Sequence, residues 1–335
     1  MACKIAFFDA KQYDRIFFDE WNKKYDFELN YFTPCFNKQT ALLAKGHDIV
    51  CLFIKDVVNR ETIEILEGYG VKLIALRCAG YNNVDLRSAY RRIRIVRVPK
   101  YSPYAIAEHA CSLMLALNRK IHKSYNRTRD ANFSINGLLG FDMHGKTAGV
   151  IGTGKIGRCL IEILKGFGMK VLAFDRYPDR LYAENRQLEY VDLKEIYRSC
   201  DILSLHCPLT AETHHLIDNQ AIKSMKKNVM IINTGRGELI ETLALVEGVK
   251  SRHIGAVGLD VYEGENEYFF EDHSGSIICD DLLARLLTFP NVIVTSHQAF
   301  FTKEALYNIA QTTYENIQAY LNGEVLSNEI CYEEG

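Results

Sequence analysis

Residues 147–157 read Thr147-Ala148-Gly149-Val150-Ile151-Gly152-Thr153-Gly154-Lys155-Ile156-Gly157. A short apolar run ends at Ile151, three glycines follow at the spacing Gly-x-Gly-x-x-Gly, and an apolar helical stretch opens over 156–167. Each glycine has its own task in such a corner. Gly152 permits a tight turn, Gly154 lets backbone approach a pyrophosphate, and Gly157 lets the helix pack against the strand. The helix N-terminus also favours anionic phosphate. Glycine-rich corners are common by themselves, and an acid after the next strand can simply cap it. Here Asp175 closes the next apolar run, 171–174, at the distance expected of an acid that holds adenosine ribose hydroxyls. The two features in register predict a dinucleotide site. A carboxylate there repels a 2′-phosphate, so NAD is expected over NADP, although Arg176 is a group able to accept that phosphate.

Outward from this corner, apolar strands are predicted at 147–151, 171–174, 202–205, 229–232, 254–259 and 292–294, alternating with helices. Six such strands suit a doubly wound parallel sheet. Upstream the same rhythm runs through 5–8, 49–54, 73–76 and 95–98, and breaks near Val98-Pro99. Pro103 fits the first turn of a helix over 105–118, a polar stretch covers 122–136, and a last apolar helix covers 305–321. That helix lies outside the second rhythm and is expected to pack back on the first domain. At 335 residues the chain exceeds what one core usually serves. The expected organisation is one domain from 1–100 plus 299–335 and a second from 101–298, both doubly wound α/β with parallel sheets.

Composition removes several function classes. A formal net charge of -2, with basic residues dispersed, gives no broad positive field for nucleic acid. The local cluster Arg87, Arg91, Arg92, Arg94 and Arg97 reads as a solvated face. Ten cysteines stand singly, outside the close spacings of zinc and redox motifs, and read as reduced thiols. His214 and His215 are adjacent and expected to diverge, a poor metal pair, so no metal is expected. The apolar stretch in 1–10 is too short for a signal peptide or a membrane span. The cytoplasm is the expected location, without a membrane partner.

Polar residues just past strand ends are the candidates for chemistry in an open sheet. Arg236, flanked by Gly235 and Gly237, presents a guanidinium that pairs with carboxylate through two parallel hydrogen bonds; alone it is equally a surface arginine. His297 follows the strand at 292–294. Hydride addition to a carbonyl leaves an alkoxide, and a histidine is the natural proton donor near neutral pH, although lone histidines are usually structural. Glu265 in the acidic loop 260–265 can stabilise the charged imidazole, or be simply solvated. His206, at another strand end, is a minor candidate.

These residues resemble the D-isomer-specific 2-hydroxyacid dehydrogenases, and within them the fermentative D-lactate dehydrogenases. The resemblance runs nearly end to end and is carried by Arg77-Cys78-Ala79-Gly80-Tyr81-Asn82-Asn83-Val84-Asp85, by Arg127-Thr128-Arg129-Asp130-Ala131-Asn132-Phe133, and by Ser296-His297-Gln298-Ala299-Phe300. It implies a Rossmann-type cofactor domain inserted into a flavodoxin-like substrate domain, and reduction of pyruvate to D-lactate with NADH. Arg236 would then anchor and polarise the substrate, and His297 with Glu265 would form an acid–base dyad supported by Asp260. Cys78, Ala79, Gly80 and Tyr101 would hold the substrate carboxylate, while Phe53 and Phe300 wall the methyl side. Lys155, Ile156, Asp175, Cys207, Pro208, Thr234, Gly235 and Asp260 would join the three glycines in contacting NAD. A homodimer or homotetramer is implied too. Departures from the family pattern are Gly235, where Ser or Ala is commoner, Glu238 near Arg236, and the absence of a glycine in the turn at 91–94. The alternatives are a dehydrogenase for bulkier D-2-hydroxy acids and an NAD-sensing corepressor.

Overall fold

The computed structural model describes residues 3–332; residues 1–2 and 333–335, both assigned above to the first domain, lie outside the described residues. The chain divides into two compact units, Met1–Ser102 with Phe301–Gly335, and Pro103–Phe300. Each crossing falls two residues beyond the boundary read from the sequence. The reason is local at both places. Pro103 is already the first residue of a helix, Pro103–Arg119, whose Ala107, Ala110 and Met114 belong to the second unit's core. At the return, the Asp260 carboxylate holds the backbone amides of Gln298 and Ala299 at 2.9 and 2.8 Å.

The first unit contains β1 (Lys4–Phe7), β2 (Glu28–Tyr31), β3 (Ile49–Leu52), β4 (Leu73–Leu76) and β5 (Arg94–Val96), all parallel in the order β2-β1-β3-β4-β5. β3 and β4 are buried along their whole length, as expected of apolar runs covered on both faces. β2 is absent from the sequence reading. It is an edge strand of four mixed residues with partly exposed side chains, so it lacks an apolar run. The helix Lys303–Leu321 completes this unit: Tyr314 is buried, its hydroxyl donates to the Phe18 carbonyl at 2.9 Å, and its ring stacks on Tyr25 at 5.0 Å.

The second unit contains β6 (Thr147–Ile151), β7 (Lys170–Phe174), β8 (Glu189–Tyr190), β9 (Ile202–Leu205), β10 (Val229–Asn233), β11 (Ile254–Leu259) and β12 (Val292–Val294), in the order β12-β11-β10-β9-β6-β7-β8. The sheet therefore has seven parallel strands where six were expected, because β8 is a two-residue edge strand too short to leave a pattern. The 122–136 stretch also differs from expectation. It contains the helix Ile121–Arg129, none of whose residues is buried, so its periodicity is not written in apolar residues. Strand order reverses between β6 and β9, and the carboxyl ends flanking such a switch point are where this architecture holds ligands. The glycine corner and the segment His206-Cys207-Pro208 leave the sheet at those two ends.

Candidate active site

The glycine corner has the geometry its spacing implies. Gly152 lies at φ +95°, where a side chain would strike the 206–207 backbone, and a Cβ at Gly157 would run into the Gly152 carbonyl. Gly154 caps the helix Lys155–Gly166, and nothing lies within 4 Å of where its Cβ would be, so the surface over the helix N-terminus is open. Lys155 and Ile156 form the first turn.

Asp175, at the end of β7, accepts from the Thr153 amide at 2.6 Å and the Thr153 hydroxyl at 2.9 Å through one oxygen, and from the Tyr177 amide at 2.9 Å through the other. Burial alone would push this carboxyl up, but those hydrogen bonds and the Arg158 charge hold it below its ordinary value. It is therefore a fixed anion at neutral pH. Arg176 forms an ion pair with Glu212 at 3.2 Å. A cavity of about 490 Å³ opens here, bounded by Gly152, Phe174, Asp175, Cys207 and Pro208, with mostly apolar walls suited to a planar heteroaromatic group. Beyond β10, the buried Thr234 hydroxyl has no hydrogen-bond partner among the described residues, which a bound polar group would supply. Together with Asp175 and the open helix terminus, this fits an adenine dinucleotide.

Arg236, Glu265 and His297 follow the carboxyl ends of the neighbouring strands β10, β11 and β12. Arg236 is held by its backbone: its carbonyl accepts from the Asn233 side-chain amide at 2.8 Å, and the Asn233 side-chain oxygen accepts from the Gly235 amide at 3.0 Å. Gly237 is required next to it, because a Cβ there would collide with the Tyr262 carbonyl. The guanidinium donates to the Gly235 carbonyl at 2.7 Å and forms no ion pair among the described residues, Glu238 included. A cation in this state is open to a carboxylate.

His297 and Glu265 meet: Nδ1 is 2.7 Å from Oε1, and both side chains are mostly buried. The second Glu265 oxygen accepts from the Tyr262 amide at 2.9 Å. With Nδ1–H donated to the carboxylate, the tautomer is set and Nε2 is left outside the pair. His297 sits at φ +51°, in the left-handed region, and its N–H donates to the Asp260 carbonyl at 2.7 Å. Asp260 is fully buried and accepts from the Thr295 hydroxyl at 2.6 Å besides the amides of 298 and 299, with His109 Nε2 at 3.3 Å. It therefore fixes the loop that carries His297. His109 also meets the Thr295 hydroxyl at 3.0 Å. This support was invisible in the sequence, because His109 lies on a helix far upstream with no motif around it. His206 is neutral at physiological pH: burial pushes it down to about 4, and its Nε2 meets the Ser204 hydroxyl at 2.8 Å.

The candidates of the first unit follow its own strand ends. Phe53, after β3, is nearly buried under the Arg77 guanidinium at 4.8 Å, and its amide donates to Asp56 at 2.5 Å. Burial raises Asp56 to about 7. Cys78, Ala79 and Gly80 follow β4, with the Ala79 carbonyl held by Arg97 at 2.8 Å. The Tyr101 carbonyl accepts from Asn308 at 2.7 Å. Phe300 is buried at the end of the second unit. The arginine turn also resolves: Arg91 adopts φ +59° in place of the missing glycine, while Arg94 pairs with Glu329 at 2.6 Å.

One expectation is overturned. His214 and His215 do not diverge, because His215 lies at φ +52° and its ring folds back onto that of His214, with centroids 3.9 Å apart.

Residues 111–299 match the family described as D-isomer specific 2-hydroxyacid dehydrogenase, NAD binding domain. A D-lactate dehydrogenase of Escherichia coli strain K12 is 50% identical over 328 residues, covering 98% of this chain and 99% of its own length. Among solved structures, the pyruvate reductase of Chlamydomonas reinhardtii superposes with a TM-score of 0.93 at 43% identity, over 98% of both chains. A D-lactate dehydrogenase with NAD+ from Lactobacillus jensenii gives 0.82 at 32% identity, over 98% of this chain and all of the other. No helix among the described residues is long and apolar enough to cross a membrane.

Proposed function

We propose residue roles and a substrate for a chain that belongs to the D-isomer specific 2-hydroxyacid dehydrogenases and is an NAD-dependent oxidoreductase. The reaction is the reduction of pyruvate to D-lactate. The observation that carries this reading is the 2.7 Å His297–Glu265 pair at the strand end next to that of an arginine without a carboxylate partner; the relatives named for D-lactate and pyruvate support the substrate.

Arg236 receives the substrate carboxylate through paired N–H groups and draws electron density from the adjacent carbonyl. NAD, held by the glycine corner, Asp175, Cys207, Pro208, Thr234, Gly235 and Asp260, supplies the hydride when bound in reduced form. His297 holds a proton at Nε2 for the developing alkoxide, and in the reverse direction takes it from the hydroxyl. Glu265 fixes the ring and offsets the charge of the imidazolium. Cys78, Ala79, Gly80 and Tyr101 keep the carboxylate-binding role, and Phe53 and Phe300 the side-chain-limiting role, that the family resemblance implies for them.

A cytoplasmic location accords with ten free cysteines. A homo-oligomer accords with Phe133, Ile135 and Leu139 of the second unit, each more than three-quarters exposed. The deciding experiment is NADH oxidation across a panel of 2-oxo acids with chiral product analysis. Pyruvate should be preferred over phenylpyruvate and give D-lactate. Formation of L-lactate alone, or preference for the bulky acid, overturns the reading.

A further inference from the structure

Beside the dyad the fold assembles a second group of ligand-bearing side chains that this chemistry leaves unused. His214, His215 and Glu263 each offer a ligand atom, and those atoms all lie within 4.8 Å of one another. Neighbouring residues in regular backbone point their side chains apart. The left-handed conformation at His215 brings the two imidazoles together, 3.9 Å between centroids with planes 28° apart. It is held by backbone bonds: the His215 amide donates to the Glu238 carbonyl at 2.8 Å, and the His214 amide to the Thr210 carbonyl at 2.9 Å. Glu263 is fixed from the other side, where one oxygen accepts from the Thr242 hydroxyl at 2.8 Å. Its second oxygen lies 2.6 Å from His215 Nε2.

We propose that His214, His215 and Glu263 form a binding site for one divalent transition-metal ion of the zinc class. Two imidazole nitrogens and one carboxylate oxygen are a common zinc donor set, with water as the fourth ligand. Bonds of about 2.0–2.1 Å to a tetrahedral ion place donors about 3.4 Å apart. The close His215–Glu263 pair opens to that spacing, and the wider separation closes through His214, which is exposed and has room to swing. The ion replaces the proton shared by His215 and Glu263, and that proton passes to solvent. Calcium and magnesium are disfavoured because they require oxygen donors. Without an ion, the His215–Glu263 pair is an ordinary hydrogen bond and the stacking of the rings follows from the left-handed backbone at His215; coordination draws His214 out of that stack.

The site also touches the loops that carry the chemistry. Glu263 precedes Glu265 by two residues, and Gly237, next to Arg236, packs against the peptide joining Tyr262 and Glu263. Bound Zn2+ is therefore expected to slow turnover, a consequence that rests on the roles proposed above; the binding itself does not.

The test is calorimetric titration of Zn2+ into the full-length, metal-free protein, with Co2+ absorption as the report on ligand type. The expected result is one equivalent bound, visible bands of tetrahedral cobalt without thiolate charge transfer, and binding weakened at least about tenfold in His214→Ala and Glu263→Gln. His214→Ala should keep its metal-free turnover and lose sensitivity to Zn2+. Equal affinity in the parent and both variants, a thiolate band, or no binding at all overturns the site. Failure of pyruvate reduction would count against the proposed reaction and leave the calorimetry readable.

Discussion

Two histidine–carboxylate pairs stand at the end of this sheet, and their distances barely separate them: 2.7 Å for His297–Glu265 and 2.6 Å for His215–Glu263. Their acids come from the same short loop. The difference is which nitrogen is engaged. His297 turns Nδ1 to its acid and keeps the tip of the ring, Nε2, for another molecule. His215 spends Nε2 on its acid, and its ring is stacked on a neighbour. The surroundings differ too: Glu265 takes the Tyr262 amide, while Glu263 takes the Thr242 hydroxyl and so ties one loop to another. Distance alone thus does not separate the pair proposed for acid–base catalysis from its neighbour; the nitrogen left over does.

Removing each ring separates the two pairs most strongly. His297→Ala is expected to lower kcat/KM for pyruvate by about three to four orders of magnitude, the upper part of what a general acid supplies, whereas His215→Ala should retain most of the activity; steady-state kinetics with NADH decides, and equal losses would erase the distinction. Next is Arg236→Gln, which keeps the loop but removes the charge. A drop of about a hundredfold to a thousandfold is expected, the scale seen when one charge-stabilising donor is lost, with a raised KM for pyruvate. The acids sharpen the contrast further. Glu265→Gln should cost about a hundredfold and change the pH profile, because a neutral amide no longer offsets the imidazolium. Glu263→Gln should cost less than about tenfold, since the amide oxygen still accepts from Thr242. The smallest effect concerns a third histidine, His206. Its folded value, about 4, lies below the ordinary histidine value near 6.5, so its contribution to stability is fully present above about 6.5 and is lost as pH falls toward 4. His206→Gln should flatten that part of a thermal-unfolding profile measured between pH 4 and 7.

Much of this architecture was readable because most of its strands are short apolar runs. β4, β6, β9 and β11 coincide with their predicted ranges, since a strand largely buried on both faces has little alternation to blur its ends; β12, a partly exposed edge strand, coincides too because Val292-Ile293-Val294 is apolar throughout. The edge strands β2 and β8 escaped for the complementary reason, being short, mixed and partly exposed. In the site, Gly152, Gly154 and Gly157 announced themselves through spacing, and Asp175 through its place one strand later. The contacts of Asp260 could not be read, since they join residues from a helix and two strand ends spread over nearly two hundred positions. His214 and His215 misled because a left-handed φ at a histidine leaves no trace in composition.

The helix Lys303–Leu321 has a consequence for synthesis. The ribosome releases β1 to β5 first, but the helix that covers Phe18 and Tyr25 with Tyr314 is made last. The middle unit, continuous from Pro103 to Phe300, has all its strands available while the first still lacks a wall. The first unit can therefore close its core only after every strand of the middle unit has been synthesised, so the apolar surface around Phe18 and Tyr25 lacks its cover during that interval.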